Sequence, residues 1–150
     1  MRRPAVVTAL IFGILFFAGF SLLLARGLTG AGAERAKVLE VVRAEARGNW
    51  GAVLDRLGAC RDEPACAAVT RERVARLRAP GRVEILNYEP SARLVFVEEQ
   101  VGTGRVAWRA GDGLPVVQCV RVRRTGIMAG AEVELLAVSA PIGREASCAR

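Results

Sequence analysis

Histidine is absent from this chain, tyrosine and lysine each occur once (Tyr88 and Lys37), and aspartate occurs three times (Asp55, Asp62 and Asp112). Without an imidazole there is no histidine base to activate a serine or cysteine, and no mixed Cys/His zinc site. The three aspartates read as a helix-surface residue, a helix start and a turn tip, and Tyr88 as packing at a strand end. Adjacent Glu98 and Glu99 would point to opposite faces of a strand, so they make no shared carboxylate pair. Gly102-Thr103-Gly104 is too short for a phosphate-binding fingerprint and reads as a tight turn. These absences predict no catalytic residue, no cofactor and no metal, hence a protein that is not an enzyme. The formal net charge is +7, but residues 34–150 hold 19 basic against 15 acidic groups. No basic run is interleaved with aromatics, so nucleic acid is not an expected partner.

Charge is also missing from residues 5–25, AVVTALIFGILFFAGFSLLLA, with Arg2 and Arg3 before them and Arg26 after. At about 1.5 Å per residue, a helix of that length is roughly 31 Å long, the thickness of a bilayer core. The expectation is a transmembrane anchor over residues 1–27, in a single-pass membrane protein bound to the lipid bilayer through residues 5–25. A signal peptide cleaved after Ala31-Gly32-Ala33 and a buried core helix are the competing readings; the apolar run exceeds the about 7–15 residues of a signal core. Residues 28–33, LTGAGA, read as a Gly-rich linker. Residues 34–150 then suit one extracytoplasmic domain.

Four cysteines follow the apolar run: Cys60, Cys66, Cys119 and Cys148. An even count in a chain entering the secretory route favours two disulfides. Cys60 and Cys66 flank a short turn, which leaves Cys119 for Cys148. Free structural thiols and a metal are the alternatives, but C-x5-C-x52-C-x28-C matches no zinc ribbon or finger. Thiol redox at Cys60 and Cys66 would need a tighter spacing.

Residues 34–47 place Val38, Leu39, Val41, Val42 and Ala46 mainly on one side at helical spacing. Gly48 stops that helix and Asn49 caps a second, over residues 50–57. Asp62 and Pro64 start a third, over residues 65–77, closed by Pro80-Gly81. From Arg82 the period changes to two, predicting strands about Val83–Ile85, Val106–Trp108, Val116–Val122 and Val133–Leu135, with Asp112-Gly113 turning a hairpin. The apolar run Leu94–Val97 is compatible with strand or helix. In the last hairpin, Arg123 opposite Glu132 and Arg121 opposite Glu134 would give two opposite-charge pairs, each worth roughly 0.2–1 kcal/mol. Val122 would face Val133 and Val120 would face Leu135. Cys119 would then lie outward opposite Leu136, where a tail returning from Pro141 could bring Cys148. Val117, Leu136 and Val138 suggest a partly apolar outer face.

Helices followed by a curved antiparallel sheet of about four strands indicate an α+β fold. The stretch Ala46-Arg47-Gly48-Asn49-Trp50-Gly51-Ala52-Val53-Leu54 resembles the helix–Gly–Asp/Asn–Trp–helix entry of the nuclear transport factor two-like, or cystatin-like, superfamily. The likeness covers residues 34–142 in element order. It is similar in layout to small single-pass bacterial members, the Mce-associated proteins and the bitopic subunits of type IV secretion machines. Residues 114–124, LPVVQCVRVRR, resemble a segment of anchored actinobacterial proteins. The resemblance implies a cone-like sheet with Trp50 at its mouth, and Trp108 as a second lining residue of a possible pocket. Catalytic members carry His/Asp or Tyr/Asp pairs inside the cone, and this chain departs from them at those positions. The resulting expectation is a non-enzymatic domain at the cell membrane, binding an envelope protein or a second copy of itself. The alternative is a domain holding a small apolar ligand such as a lipid.

Overall fold

The computed structural model describes residues 3–60, 63–91, 99–126, 132–144 and 146–148, and side chains within α1 from Ile11 to Ser21 and from Ala31 onward. Asp62, Leu94–Val97 and Glu98 lie outside the described residues. The element order is α1 (Arg3–Ala46), α2 (Trp50–Leu54), a 3-10 turn (Gly58–Cys60), α3 (Pro64–Leu77), β1 (Val83–Glu89), β2 (Glu99–Ala110), β3 (Val116–Thr125) and β4 (Glu132–Val138). The strands form one antiparallel sheet in the order β1-β2-β3-β4, with the helices on one face. The α+β expectation with four antiparallel strands therefore holds.

The transmembrane part of that expectation does not. Among the described residues no helix is long and apolar enough to cross a membrane, so the anchor over 1–27 and the single-pass, signal-anchor assignment are corrected. Nor does the helix break at residues 28–33, as a linker would require. It runs unbroken from Arg3 through residues 28–33 to Ala46, so apolar and charged halves share one helix. Each glycine costs a helix interior only about 1 kcal/mol, and propagation between two established helical segments needs no new nucleus.

Gly48 ends α1 with φ +74°, the left-handed conformation that glycine reaches most easily. Its N–H bonds to the Glu45 carbonyl at 2.9 Å, and that of Asn49 to Ala44 at 3.0 Å, a Schellman closure. The Asn49 side chain then accepts from Ala52 N at 3.0 Å, capping α2 as its sequence position requires. α2 is shorter than expected because Leu57 leaves the helix to bridge Leu135 of β4 in parallel. α3 begins with Pro64 at its first turn.

Val38, Val41 and Val42 of α1 meet Val53, Leu57 and Val74 from the other helical segments, and Val106, Trp108, Val120, Val122 and Leu135 from the sheet; all are fully buried. Three departures from the sequence reading concern the sheet. Gly102-Thr103-Gly104 is not a turn but part of β2. A Cβ at Gly102 would lie 2.5 Å from the Ser91 carbonyl oxygen, so glycine there lets the end of the first strand's chain cross close by. The β3–β4 register also differs: Arg123 faces Glu134, Val122 faces Leu135, and Thr125 faces Glu132. This is a two-residue offset, which preserves the in/out alternation on which the sequence argument rested. It lets Arg123 meet two carboxylates, Glu134 at 3.1 Å and Glu99 at 3.0 Å. A bulge at Leu136 shifts the ladder again, leaving Arg121 opposite Ala137 and Val120 opposite Val138. The expected apolar outer face is buried: Val138 joins the core, Leu136 is the bulged residue, and Val117 lies where the returning tail bonds its carbonyl.

A buried ion pair locks the layers together. Arg73 of α3 donates Nε to Glu45 Oε1 of α1 at 2.8 Å, and Nη1 to the Val138 carbonyl of β4 at 2.6 Å. Glu45 is 0% exposed. Burial raises its pKa, against the pull of Arg73 and the neighbouring Gln118 amide. A raised carboxyl favours folding most in acid and loses that advantage as pH rises through its folded value. Arg73 Nη2 and the Thr70 hydroxyl have no hydrogen-bond partner among the described residues, so the arrangement is incompletely satisfied. Replacing Glu45 alone by Leu should therefore cost about 3–5 kcal/mol, because it strands the arginine's charge. The double replacement Glu45→Leu/Arg73→Met should return stability to within about 1 kcal/mol of the parent or above it. Urea unfolding of the three variants measures this; a double variant no better than the single one refutes it.

Candidate functional site

The densest polar constellation lies where α1 meets the open end of the sheet. Glu34 is 0% exposed although carboxylates are seldom fully buried. Its Oε1 accepts from Tyr88 Oη and from the Ser91 backbone N–H at 2.9 Å. Its Oε2 accepts from Ser91 Oγ at 2.9 Å and from Arg124 Nε at 3.0 Å, with Arg124 Nη2 completing a side-on ion pair. One helical turn along, Lys37 Nζ donates to the Val133 carbonyl of β4.

Local sequence places each member. Glu34, Val38, Val41, Val42 and Glu45 fall on one stripe at helical spacing, and all are buried. Arg124 follows Val120 and Val122 on the helix-facing side of β3, a parity at which a charge requires a partner. Ser91 reaches the carboxylate because Gly102 and Gly104 admit its backbone; a Cβ on Gly104 would lie 2.9 Å from the Glu89 carbonyl oxygen.

Chemically this is a fastener. A general base must reach a substrate proton, whereas both oxygens of Glu34 are already taken by donors from three other segments. Tyr88 is held the same way. Burial raises its pKa, and the bond to Glu34 and that carboxylate's charge raise it further, with Arg124 acting against them.

The remaining predicted residues are dispersed. Trp108 is 1% exposed and donates Nε1 to Gln118 Oε1 at 2.7 Å, while Gln118 Nε2 donates to the Ser139 carbonyl at 3.1 Å. Trp50 stands at the surface with the Arg71 guanidinium 4.3 Å from its ring centroid. Trp108 thus lies in the core and Trp50 at the surface. Asp55 caps the end of α2, and Asp112 is exposed on the β2–β3 turn, where Gly113 N–H bonds to Ala110 at 3.0 Å. The cysteines pair as expected: Cys60 with Cys66, and Cys119 with Cys148. All four are consumed, and among the described residues no three of His, Cys, Asp and Glu converge as metal ligands.

Sequence reasoning missed Glu34, Arg124, Glu45 and Gln118. The available signal was the same for each: a polar residue at the buried parity of its own element. No protein-family model, curated protein or solved structure matches this chain.

Because the chain has a single tyrosine, absorbance titration reads Tyr88 without interference. Its folded pKa lies above the ordinary 10.0, so the stability it contributes is complete below about pH 10 and is lost as pH rises further. Tyrosinate absorbance should stay low past pH 10 and appear together with unfolding. Glu34→Gln should move the ionisation back toward the ordinary value; an unchanged curve would show that the carboxylate does not govern it.

Proposed function

We propose that this chain is a non-enzymatic assembly domain of the cell envelope, working outside the cytosol by protein–protein contact. The observation that carries the reading is the amino-terminal part of α1. Phe16, Phe17 and Phe12 are 78%, 72% and 71% exposed, and Ile11, Ile14, Leu15 and Phe20 are exposed beside them. Contiguous apolar surface of this kind marks an interaction site. At 3.6 residues per turn these side chains point to every side of the helix. One helix from a second copy would cover one side only. The partner is accordingly an envelope protein presenting several apolar helices around the rod.

The two disulfides support an oxidising compartment. Helices preceding a four-stranded antiparallel sheet, with Gly48-Asn49-Trp50 at the corner between α1 and α2, support kinship with the nuclear transport factor two-like superfamily. The apolar-ligand alternative draws no support from the interior, which Trp108, Leu57, Leu135 and the valines occupy.

Photo-crosslinking residues placed at Leu15 and Phe17 in intact cells should give one discrete adduct with a second protein. An adduct containing only this chain would replace the heterologous partner by self-association, and no adduct would overturn the reading. Phe16→Ser/Phe17→Ser should abolish the adduct while shifting domain stability by no more than about 0.5 kcal/mol, since both positions are exposed.

A further inference from the structure

The corner where the ends of α1 and α3 meet the start of α2 carries charge of one sign. Arg43 in the last turn of α1 and Arg47 just past its end are both exposed, with the Arg47 N–H bonded to the Arg43 carbonyl at 3.1 Å. Arg71 of α3 and Arg78 at its C-cap are close to two turns apart, so they share one flank beside the buried Val74 and Leu77. Both reach the corner. The Arg71 guanidinium lies 4.3 Å from the ring centroid of Trp50, which is 38% exposed. The Arg78 side chain crosses Gly48, where a Cβ would lie 3.1 Å from its Cδ and 3.6 Å from its Nε. The Ala79 N–H bonds to the Ala46 carbonyl at 3.0 Å and holds the two helix ends together.

Among the described residues no carboxylate answers these four guanidiniums. The acids of α1 and α3 that stand closest in sequence are engaged elsewhere: Glu40 with Arg56, Glu45 with Arg73 and Glu72 with Arg76. The last carbonyls of two helices favour a cation at each helix end, which accounts for Arg43 and Arg78. It does not account for Arg47 added beside them, nor for an exposed tryptophan in their midst. It also leaves the N–H forks of the arginines unused, and those forks match carboxylates two at a time. Arginine beside exposed tryptophan is the composition that anchors one protein on another. Arg71 and Arg78 stand roughly 10 Å apart along the helix, a spacing for several charges on one extended chain rather than a single small anion. Glu40 and Glu72, both exposed, border the patch on the same two helices, so the positive surface does not continue as the track a phosphate backbone follows.

We propose that Arg43, Arg47, Arg71 and Arg78, with Trp50 among them, form a docking corner for an acidic segment of a partner protein, an extended stretch carrying several Asp or Glu side chains. The carboxylates of that segment take up the free guanidinium forks. Trp50, stacked on Arg71, fixes the plane of that guanidinium for a two-point contact. The corner lies about 45 Å along α1 from Phe17, so the contact is separate from the apolar rod and does not rest on the reading given for it.

A fluorescein-labelled octaglutamate peptide titrated into the full chain at low ionic strength should show saturable binding that weakens as salt is raised. Arg47→Gln/Arg71→Gln/Arg78→Gln should lower its affinity about tenfold or more. Arg35→Gln/Arg121→Gln/Arg144→Gln removes the same charge from other exposed positions and should change the affinity by no more than about twofold. In the unsubstituted protein, a spin-labelled octaglutamate should broaden the amide signals of residues 43–50 and 71–78 before any others, a readout that does not depend on how the variants fold. Phe16→Ser/Phe17→Ser, which disables the rod, should bind the peptide as the parent does. Absence of binding, equal losses in the two arginine variants, broadening centred elsewhere, or dependence on the rod phenylalanines overturns the proposal. An octathymidylate that binds the corner more tightly than the peptide overturns it too, because the partner would then be a nucleic acid.

Discussion

Two carboxylates on one stripe of α1 determine how the helix sits on the sheet. Glu34 and Glu45 lie on either side of Val38, Val41 and Val42, and all five side chains are fully buried. Three valines supply burial energy, but their small branched shapes say little about where along the sheet the helix should stop. The charges say where. Glu34 is met by Tyr88 of β1, by Ser91 just after it and by Arg124 of β3. Glu45 is met by Arg73, which itself grips β4 through the Val138 carbonyl. The two contacts therefore tie α1 to both sides of the sheet and to α3.

The two anchors differ in quality. Glu34 has donors on both oxygens, one of them a charged guanidinium, so its desolvation is offset on every side. Glu45 faces an arginine whose own fork is incompletely satisfied, and burial dominates its protonation. A half-satisfied pair contributes positional information more than net stability. The stronger fastener sits where the exposed apolar part of α1 leaves the domain, so it resists a lever; the weaker sits deep in the core, where packing already resists movement.

This contrast also explains what was legible in the sequence. Strands were readable because Val106, Trp108, Val120, Val122, Val133 and Leu135 keep a strict period of two, and the cysteine pairing followed from one short turn and one returning tail. The α1–α2 corner was readable because Gly48 and Asn49 have local jobs. What failed was non-local. LTGAGA looks like a linker until helices on both sides make it cheaper to continue than to stop. The last hairpin was placed two residues off because several Arg/Glu pairings satisfy the alternation; Glu99, far away in sequence, favours the observed one by giving Arg123 a second carboxylate. The apolar run at the amino terminus was legible as apolar; that one helix carries it without a break into the buried stripe of residues 34–46 was not.

The glycines of β2 show how closely fold and fastener are linked. Gly102 and Gly104 weaken a strand interior, where a β-branched residue would pack better. They are tolerated because they admit the backbone of residues 89–91 to contact distance, and that approach delivers the N–H and Oγ of Ser91 to Glu34. A side chain at Gly102 would push Ser91 outward and remove two of the five donors from a buried carboxylate. The arginine would remain, but the carboxylate would then carry unpaired lone pairs in a site closed to water, at about 1–3 kcal/mol or more for a charged group. A local cost in strand propensity thus secures a long-range contact, and it is this contact that converts an interchangeable row of valines into one defined docking of helix on sheet.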